Sequence, residues 1–201
     1  MLGDAVMGAL TRASAALSQA QVPLALMGGV AVSIWKHARA TKDVDLLVGL
    51  QTEEVPQLLR QLSISGIHSK RLPPVIEIDD VHIVPLTCQP TETLLDIRID
   101  LLLAESAFQK QALDRAIPAE LPPPNEAIRV LTCEDLLLFK LLAGRIIDRA
   151  DAAYLLRENR KDLDFAHLNR WSRTLAIESN FQEIWKEAFP DQQPPFVGTI
   201  A

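Results

Sequence analysis

Apolar residues recur every three or four positions through "DAVMGALTRASAALSQA", residues 4 to 20, which predicts an amphipathic helix with Asp4 as its cap. Pro23 stops that helix, and "LALM" reads as a short buried strand. A second helix is expected from Gly29 through Trp35 to about His37, then a strand at "VDLLV". "EEVPQLLRQLSIS" predicts a helix with a proline near its start, where a missing N–H costs nothing. Residues 75 to 86, "VIEIDDVHIVPL", read as two strands turning at Asp79-Asp80. "TLLDIRIDLLL" predicts a long strand with Asp96, Arg98 and Asp100 on one face and Ile97, Ile99 and Leu101 on the other. A short helix from about Ser106 to Asp114, the loop "PAELPPPNE" and a strand at "AIRVL" follow.

From Thr132 the period becomes helical throughout. "TCEDLLLFKLLAGR" opens on Thr132 and Asp135, spaced as in a capping box with Asp in place of Glu. Further helices are expected at 146 to 158, 164 to 175 and 178 to 188, and the tail "PDQQPPFVGTIA" reads as poorly ordered. The order is therefore α+β: an α/β core over residues 1–131, then a C-terminal helical region, 132–201, packed on it.

Composition narrows the function classes. The 201 residues are 48% hydrophobic and 23% charged, as in ordinary globular proteins, with a net charge of −6. That charge argues against a non-specific nucleic-acid coat, which needs Lys and Arg, but leaves room for a local basic cleft. Cys88 and Cys133 stand alone, without CxxC or a nearby His pair, so neither a disulfide framework nor a zinc site is expected. The N-terminus lacks the pattern of a signal peptide, and no apolar run reaches the roughly 20 residues of a membrane span. A cytoplasmic protein with no membrane partner is expected. His37, His68, His82 and His167 show no ligand spacing, and Trp35, Trp171 and Trp185 read as core or interface. With one Tyr and six Phe, a stacking platform for single strands is not expected.

The chemistry concentrates in "LMGGVAVSIWKHARATKDVDLLV", residues 26 to 48. Alternation puts Asp43 and Asp45 on one strand face while Val44 and Leu46 turn to the core. Asp100, in "RIDLLL", sits in a strand of the same kind, and pairing of the two strands would gather three carboxylates. Like charges that close destabilise a fold unless a cation joins them. Mg²⁺ suits the task, because it takes oxygen ligands and is commonly shared between carboxylates and substrate phosphates. Two such ions about 4 Å apart are a standard device for in-line nucleotidyl displacement. The plain alternative is a solvated strand face, or carboxylates capping loop donors after Thr41. Gly28 and Gly29 stand upstream, between a strand and a helix, where backbone N–H groups can approach a triphosphate. They serve equally as a tight turn for packing.

Taken together, "GGVAV…RATKDVDLLV" and the later "RIDLLL" resemble the nucleotidyltransferase superfamily with a polymerase-β-like core. Within it the chain is most similar to the AbiEii-like toxin nucleotidyltransferases of prokaryotic toxin–antitoxin systems. The first block covers Gly28, Gly29, Ala31, Arg39, Thr41, Asp43 and Asp45. The second is "EDLLLFKLLAGRIIDRADAAYLL", where a lysine, an arginine and two aspartates match Lys140, Arg145, Asp148 and Asp151. One departure is Gly-Gly where many members have Gly-Ser, so the hydroxyl that would touch phosphate is absent.

The resemblance implies a mixed sheet flanked by helices and a C-terminal helical part. It implies transfer of NMP from an NTP to a hydroxyl of RNA, such as tRNA, or of protein. It further implies Asp43, Asp45 and Asp100 as metal ligands for Mg²⁺, in two ions, with Asp100 nearest the nucleophile. Gly28, Gly29, Arg39, Thr41 and Lys140 would face the nucleotide, Arg145, Asp148 and Asp151 would stand behind them, and a cognate antitoxin would neutralise the toxin. Two other functions share these features: a small-molecule nucleotidyltransferase of the antibiotic-modifying kind, and a catalytically silent nucleotide-binding module.

Several residues carry a second reading from chemistry alone. Lys140, in "LLLFKLLAG", either snorkels at the core edge or points its ammonium at the cleft, and the cleft is the preferred expectation. Arg145, Asp148 and Asp151, spaced by three, can also form a salt-bridge ladder between helices. Arg39 contacts triphosphate or acceptor, or pairs with Asp43. Asp96, about 13 Å along the strand from Asp100, is too far to be a fourth ligand and is expected to pair with Arg98.

Overall fold

The computed structural model describes residues 3–37, 39–89, 96–121 and 127–195. The chain divides into two compact units, one made of Met1–Ala31 and Arg39–Leu131, the other of Val32–Ala38 and Thr132–Ala201.

In the first unit, eight strands form one mixed sheet among the described residues: β1 (Leu24–Met27), β2 (Asp43–Val48), β3 (Ile67–His68), β4 (Ile76–Ile78), β5 (Val81–Cys88), β6 (Ile97–Leu103), β7 (Ile117–Ala119) and β8 (Ile128–Val130). Their order is β3-β5-β6-β2-β1-β8-β7, with β4 on β5. The β2–β6 and β1–β8 pairs are parallel and the others antiparallel. Alternation sorts the two faces of β6. Ile97, Ile99, Leu101 and Leu103 are buried, Arg98 is exposed and Asp100 is half-buried. Helix α1 (Asp4–Gln19) packs on β2 and β6 and against helix α3 (Val55–Ile64), burying Val6, Leu10, Leu17, Leu58 and Leu62. Each such side chain contributes about 1.5–3 kcal/mol by leaving water. The carboxylates of β2 and β6 lie on the face these apolar side chains leave.

Local sequence accounts for the edges of these elements. The hairpin of β4 and β5 turns at Asp79 and Asp80, both with positive φ (47° and 62°), the backbone a two-residue loop demands and Asp tolerates. Helix α4 (Ala107–Arg115) is capped by Ser106, whose Oγ accepts from Gln109 N–H while Gln109 returns a bond to Ser106 N–H. Helix α2 (Gly28–Ile34) opens directly after β1.

The second unit holds helices α5 (Cys133–Ala143), α6 (Ile146–Asn159), α7 (Phe165–Thr174) and α8 (Glu178–Ala188). Thr132 caps α5 by accepting from Asp135 N–H, and Gly144 ends it in the left-handed conformation (φ 63°). Helix α6 packs on α5 and α8, and α7 on α5 and α8. Trp185, 1% exposed, sits among Phe181, Phe165 and Phe189. The carboxylate of Asp135 is fully buried; it accepts from Thr132 Oγ1 at 2.8 Å and meets His167 Nε2 at 2.7 Å.

Several expectations are corrected. Gly3, not Asp4, occupies the α1 cap position, and Asp4 begins the helix where its charge favours the positive end. Helix α2 stops at Ile34 rather than near His37. Residues 32–38 belong with the second unit, because Asn159 Nδ2 donates to the Trp35 carbonyl and His37 stacks on Tyr154 at 3.7 Å. Strands β3 and β7 were not expected, and β7 occupies part of the supposed Pro-rich loop. Asp96 pairs with Lys70 rather than Arg98. Residues 93–95 of the long strand, 122–126 of the loop and 196–201 of the tail lie outside the described residues. Among the described residues no helix is long and apolar enough to cross a membrane.

Candidate active site

The parallel register of β2 on β6 pairs Asp45 with Asp100 and Asp43 with Arg98, while β1 brings Met27 beside Asp45. Paired residues of neighbouring strands point to the same side of a sheet, so Asp43, Asp45 and Asp100 share one face. The geometry thus realises the condition on which their convergence depended.

Gly28 shows how tightly the turn meets that face. Its φ is 64°, and a Cβ added there would lie 1.8 Å from Asp45 Oδ2 and 2.5 Å from its Cγ. Only glycine fits, on backbone and on space together. A Cβ on Gly29 would stand 2.7 Å from Thr41 Oγ1 and 3.1 Å from Arg39 Nη2. The glycine pair therefore brings the start of α2 against the Asp45 carboxylate, the Thr41 hydroxyl and the Arg39 guanidinium. Thr41 Oγ1 donates to Asp43 Oδ1 at 2.8 Å, and Arg39 Nη1 donates to the Ala40 carbonyl at 3.3 Å.

Arg98 is the residue that sequence reasoning assigned elsewhere. Its Nε donates to Asp100 Oδ1 at 2.9 Å, and its Nη2 lies 2.5 Å from Oδ2, a two-point grip. The hydrogen bond to Asp100 raises its pKa further, partly opposed by desolvation and reinforced by the charges of Asp100, Asp43 and Asp45. All three carboxylates thus act on this one guanidinium. The arginine side chain is 63% exposed and that of Asp100 12%. The signal in the sequence was the "RID" spacing, which puts Arg98 and Asp100 on one face.

Lys140, Arg145, Asp148 and Asp151 form a separate cluster within the second unit. Lys140 Nζ lies 2.8 Å from Asp148 Oδ1 and 2.9 Å from Asp151 Oδ2, with all three side chains buried. Arg145 reaches Asp148 at 2.5 Å from its Nε, and His37 Nε2 lies 3.8 Å from Asp151 Oδ1. Burial pushes the Asp148 carboxyl up, but hydrogen bonds from Arg145 and Lys140 outweigh it and leave the pKa lowered. The expectation of a cleft-facing Lys140 ammonium is corrected: two buried carboxylates hold it, because a buried cation needs partners. The salt-bridge reading of Arg145, Asp148 and Asp151 describes the geometry.

A further polar group lies in the first unit, and no ligand spacing in the sequence marks it. His82 Nδ1 meets Glu105, which also accepts from the Thr52 N–H and hydroxyl. The bond to Glu105 raises the His82 pKa, while the bonds from His82 and Thr52 outweigh burial and lower that of Glu105.

Among the described residues, no three carboxylate, imidazole or thiol groups are gathered so as to hold a metal ion as they stand. The donor chemistry on the β2–β6 face is nonetheless that of a hard-cation site: carboxylate oxygens of three aspartates, around which a guanidinium already supplies positive charge.

Solved structures share the fold. The chain is similar to the antibiotic-resistance factor ANT(2'')-Ia, with 17% identity and a TM-score of 0.54 over 89% of this chain and 97% of that one. It is similar to an antigenic nucleotidyltransferase-like protein from Paracoccidioides brasiliensis, with 15% identity and a TM-score of 0.51 over 92% and 97%. JHP933 from Helicobacter pylori matches at 15% identity and a TM-score of 0.50 over 93% and 83%. No curated protein matches the chain. The family described as nucleotidyl transferase AbiEii toxin, Type IV TA system, matches residues 9–194, and the chain is a nucleotidyltransferase belonging to that family.

Proposed function

We propose that this nucleotidyltransferase moves an NMP from Mg·NTP to a hydroxyl of RNA, such as a tRNA end, or of a protein side chain. We further propose that it is the toxin of a pair with a separate antitoxin and works in the cytoplasm, where NTPs are supplied. The observation that carries the chemistry is the in-register pair Asp45 and Asp100, with Asp43 on the same face and Gly28 against Asp45. Asp43, Asp45 and Asp100 would hold the Mg²⁺, whose chemistry when bound is to offset the charge of carboxylates and triphosphate.

The protein's own part follows from its residues. Gly28 and Gly29 let the start of α2 close on the Asp45 carboxylate and the Thr41 hydroxyl, and Arg39, beside Gly29, would orient the phosphate oxygens. The acceptor oxygen attacks the α-phosphorus, the bond to pyrophosphate breaks, and Asp100 takes the acceptor's proton.

The test supplies radiolabelled NTPs, one base at a time, to the protein with total RNA, with itself and with small hydroxyl compounds including aminoglycosides. Label on RNA or protein that disappears in Asp100→Asn is the expected result. Label confined to a small compound would establish the antibiotic-modifying alternative. Absence of transfer to any acceptor, with Mg·NTP still bound, would establish a silent nucleotide-binding module.

A further inference from the structure

We propose that Arg98 is a built-in competitor for the divalent cation: its guanidinium holds Asp100 in the metal-free protein and must leave that carboxylate when the ion binds. The inference rests on the metal reading above.

Three observations place Arg98 in this role. Its fork grips both oxygens of Asp100 at 2.9 and 2.5 Å, so neither oxygen is open without moving the arginine. Strand register sets Arg98 beside Asp43, two residues before Asp100 and on the same face, so its charge stands among the three carboxylates. The side chain is nevertheless 63% exposed, while that of Asp100 is 12% exposed. An exposed arginine can swing into water at small cost, whereas the carboxylate is fixed by the strand. An ion pair with one partner this exposed is weak enough for a divalent ion to displace. In the metal-free protein the same pair relieves repulsion between Asp100 and its neighbours, which keeps the carboxylates together until the ion arrives. Once released, the guanidinium stays close by on the same strand, free to meet phosphate.

The experiment measures Mn²⁺ binding by electron paramagnetic resonance titration, without NTP, for the full chain and for Arg98→Gln, Asp100→Asn and the double variant. Melting in EDTA runs in parallel. Arg98→Gln should bind Mn²⁺ about five-fold more tightly, the worth of a half-exposed pair, and should melt lower in EDTA. In the Asp100→Asn background the same substitution should change Mn²⁺ affinity little, because the contested carboxylate is gone. Equal or weaker Mn²⁺ binding by Arg98→Gln overturns the inference while leaving the metal reading intact. A five-fold gain that persists without Asp100 also overturns it, since that would be the general effect of removing one positive charge. No Mn²⁺ binding by any form overturns both.

Discussion

Two clusters of aspartates with cations stand in this molecule, and they are built on opposite plans. On the β2–β6 face, Asp43, Asp45 and Asp100 lie on a sheet surface that water reaches, and the cation on Asp100 is a largely exposed arginine. In the second unit, Asp148 and Asp151 are 1% exposed and grip Lys140, itself 7% exposed, from both sides. The first arrangement covers one carboxylate with a cation that is itself largely exposed. The second closes charge on charge, where removing one partner strands the others in a low-dielectric interior. On the proposed function the same residue types serve binding in one place and folding in the other, and the two places differ in burial.

Breaking the closed cluster should have the largest effect on stability. Lys140→Met is expected to lower stability by about 3–5 kcal/mol, because it takes the buried ammonium from both Asp148 and Asp151. Denaturant melts check this, and adding Asp148→Asn and Asp151→Asn to Lys140→Met should recover much of the loss. Unchanged melting of Lys140→Met would mean the cluster is open after all.

Gly28→Ala sharpens the open side. It forces a left-handed φ on alanine and drives a methyl into the Asp45 carboxylate, so a loss of about 1–3 kcal/mol is expected. The displaced Asp45 should also cost the protein its thermal shift with Mg·NTP, which differential scanning fluorimetry would read. A normal shift in Gly28→Ala would separate the turn from the site.

The smallest effect is expected at the half-exposed pair of His82 and Glu105, which falls between the two plans. His82 is raised by its bond to Glu105, so its contribution is full below its ordinary pKa of 6.5 and is lost as pH rises through the higher folded value. Glu105 is lowered, so its share is present above its ordinary 4.5 and is lost as pH falls through the folded value. Glu105→Gln should flatten this profile and change stability at neutral pH by under about 1 kcal/mol. Melting curves between pH 4 and 8 would reveal it.

Much of this was legible in the chain because the information was local. Period-2 and period-3.6 patterns located β1, β2, α1 and the helices after Thr132, and Asp79-Asp80 marked its own turn. Strands β3 and β7, of two and three residues, are too short to carry alternation. Spacing alone does not name the partner of Arg98, because Asp96 and Asp100 lie two residues to either side on the same face. Lys70, 26 residues from Asp96, claims that carboxylate. Lys140 was misread for a related reason: a helical pattern shows that a lysine interrupts an apolar run but not that Asp148 and Asp151 fold back onto it. Partners distant in sequence are set by packing, which composition and spacing do not encode.

The distinction between the open and closed clusters is tested most directly by one set of melts. Asp45→Asn and Asp148→Asn would be compared with the parent chain in EDTA and with Mg·NTP. Asp45→Asn should melt at or above the parent in EDTA, since like-charge repulsion is relieved, and should lose the Mg·NTP shift. Asp148→Asn should melt well below the parent and keep the shift. If Asp45→Asn melts as low as Asp148→Asn, or retains the full Mg·NTP shift, the carboxylates of the β2–β6 face are not a ligand site.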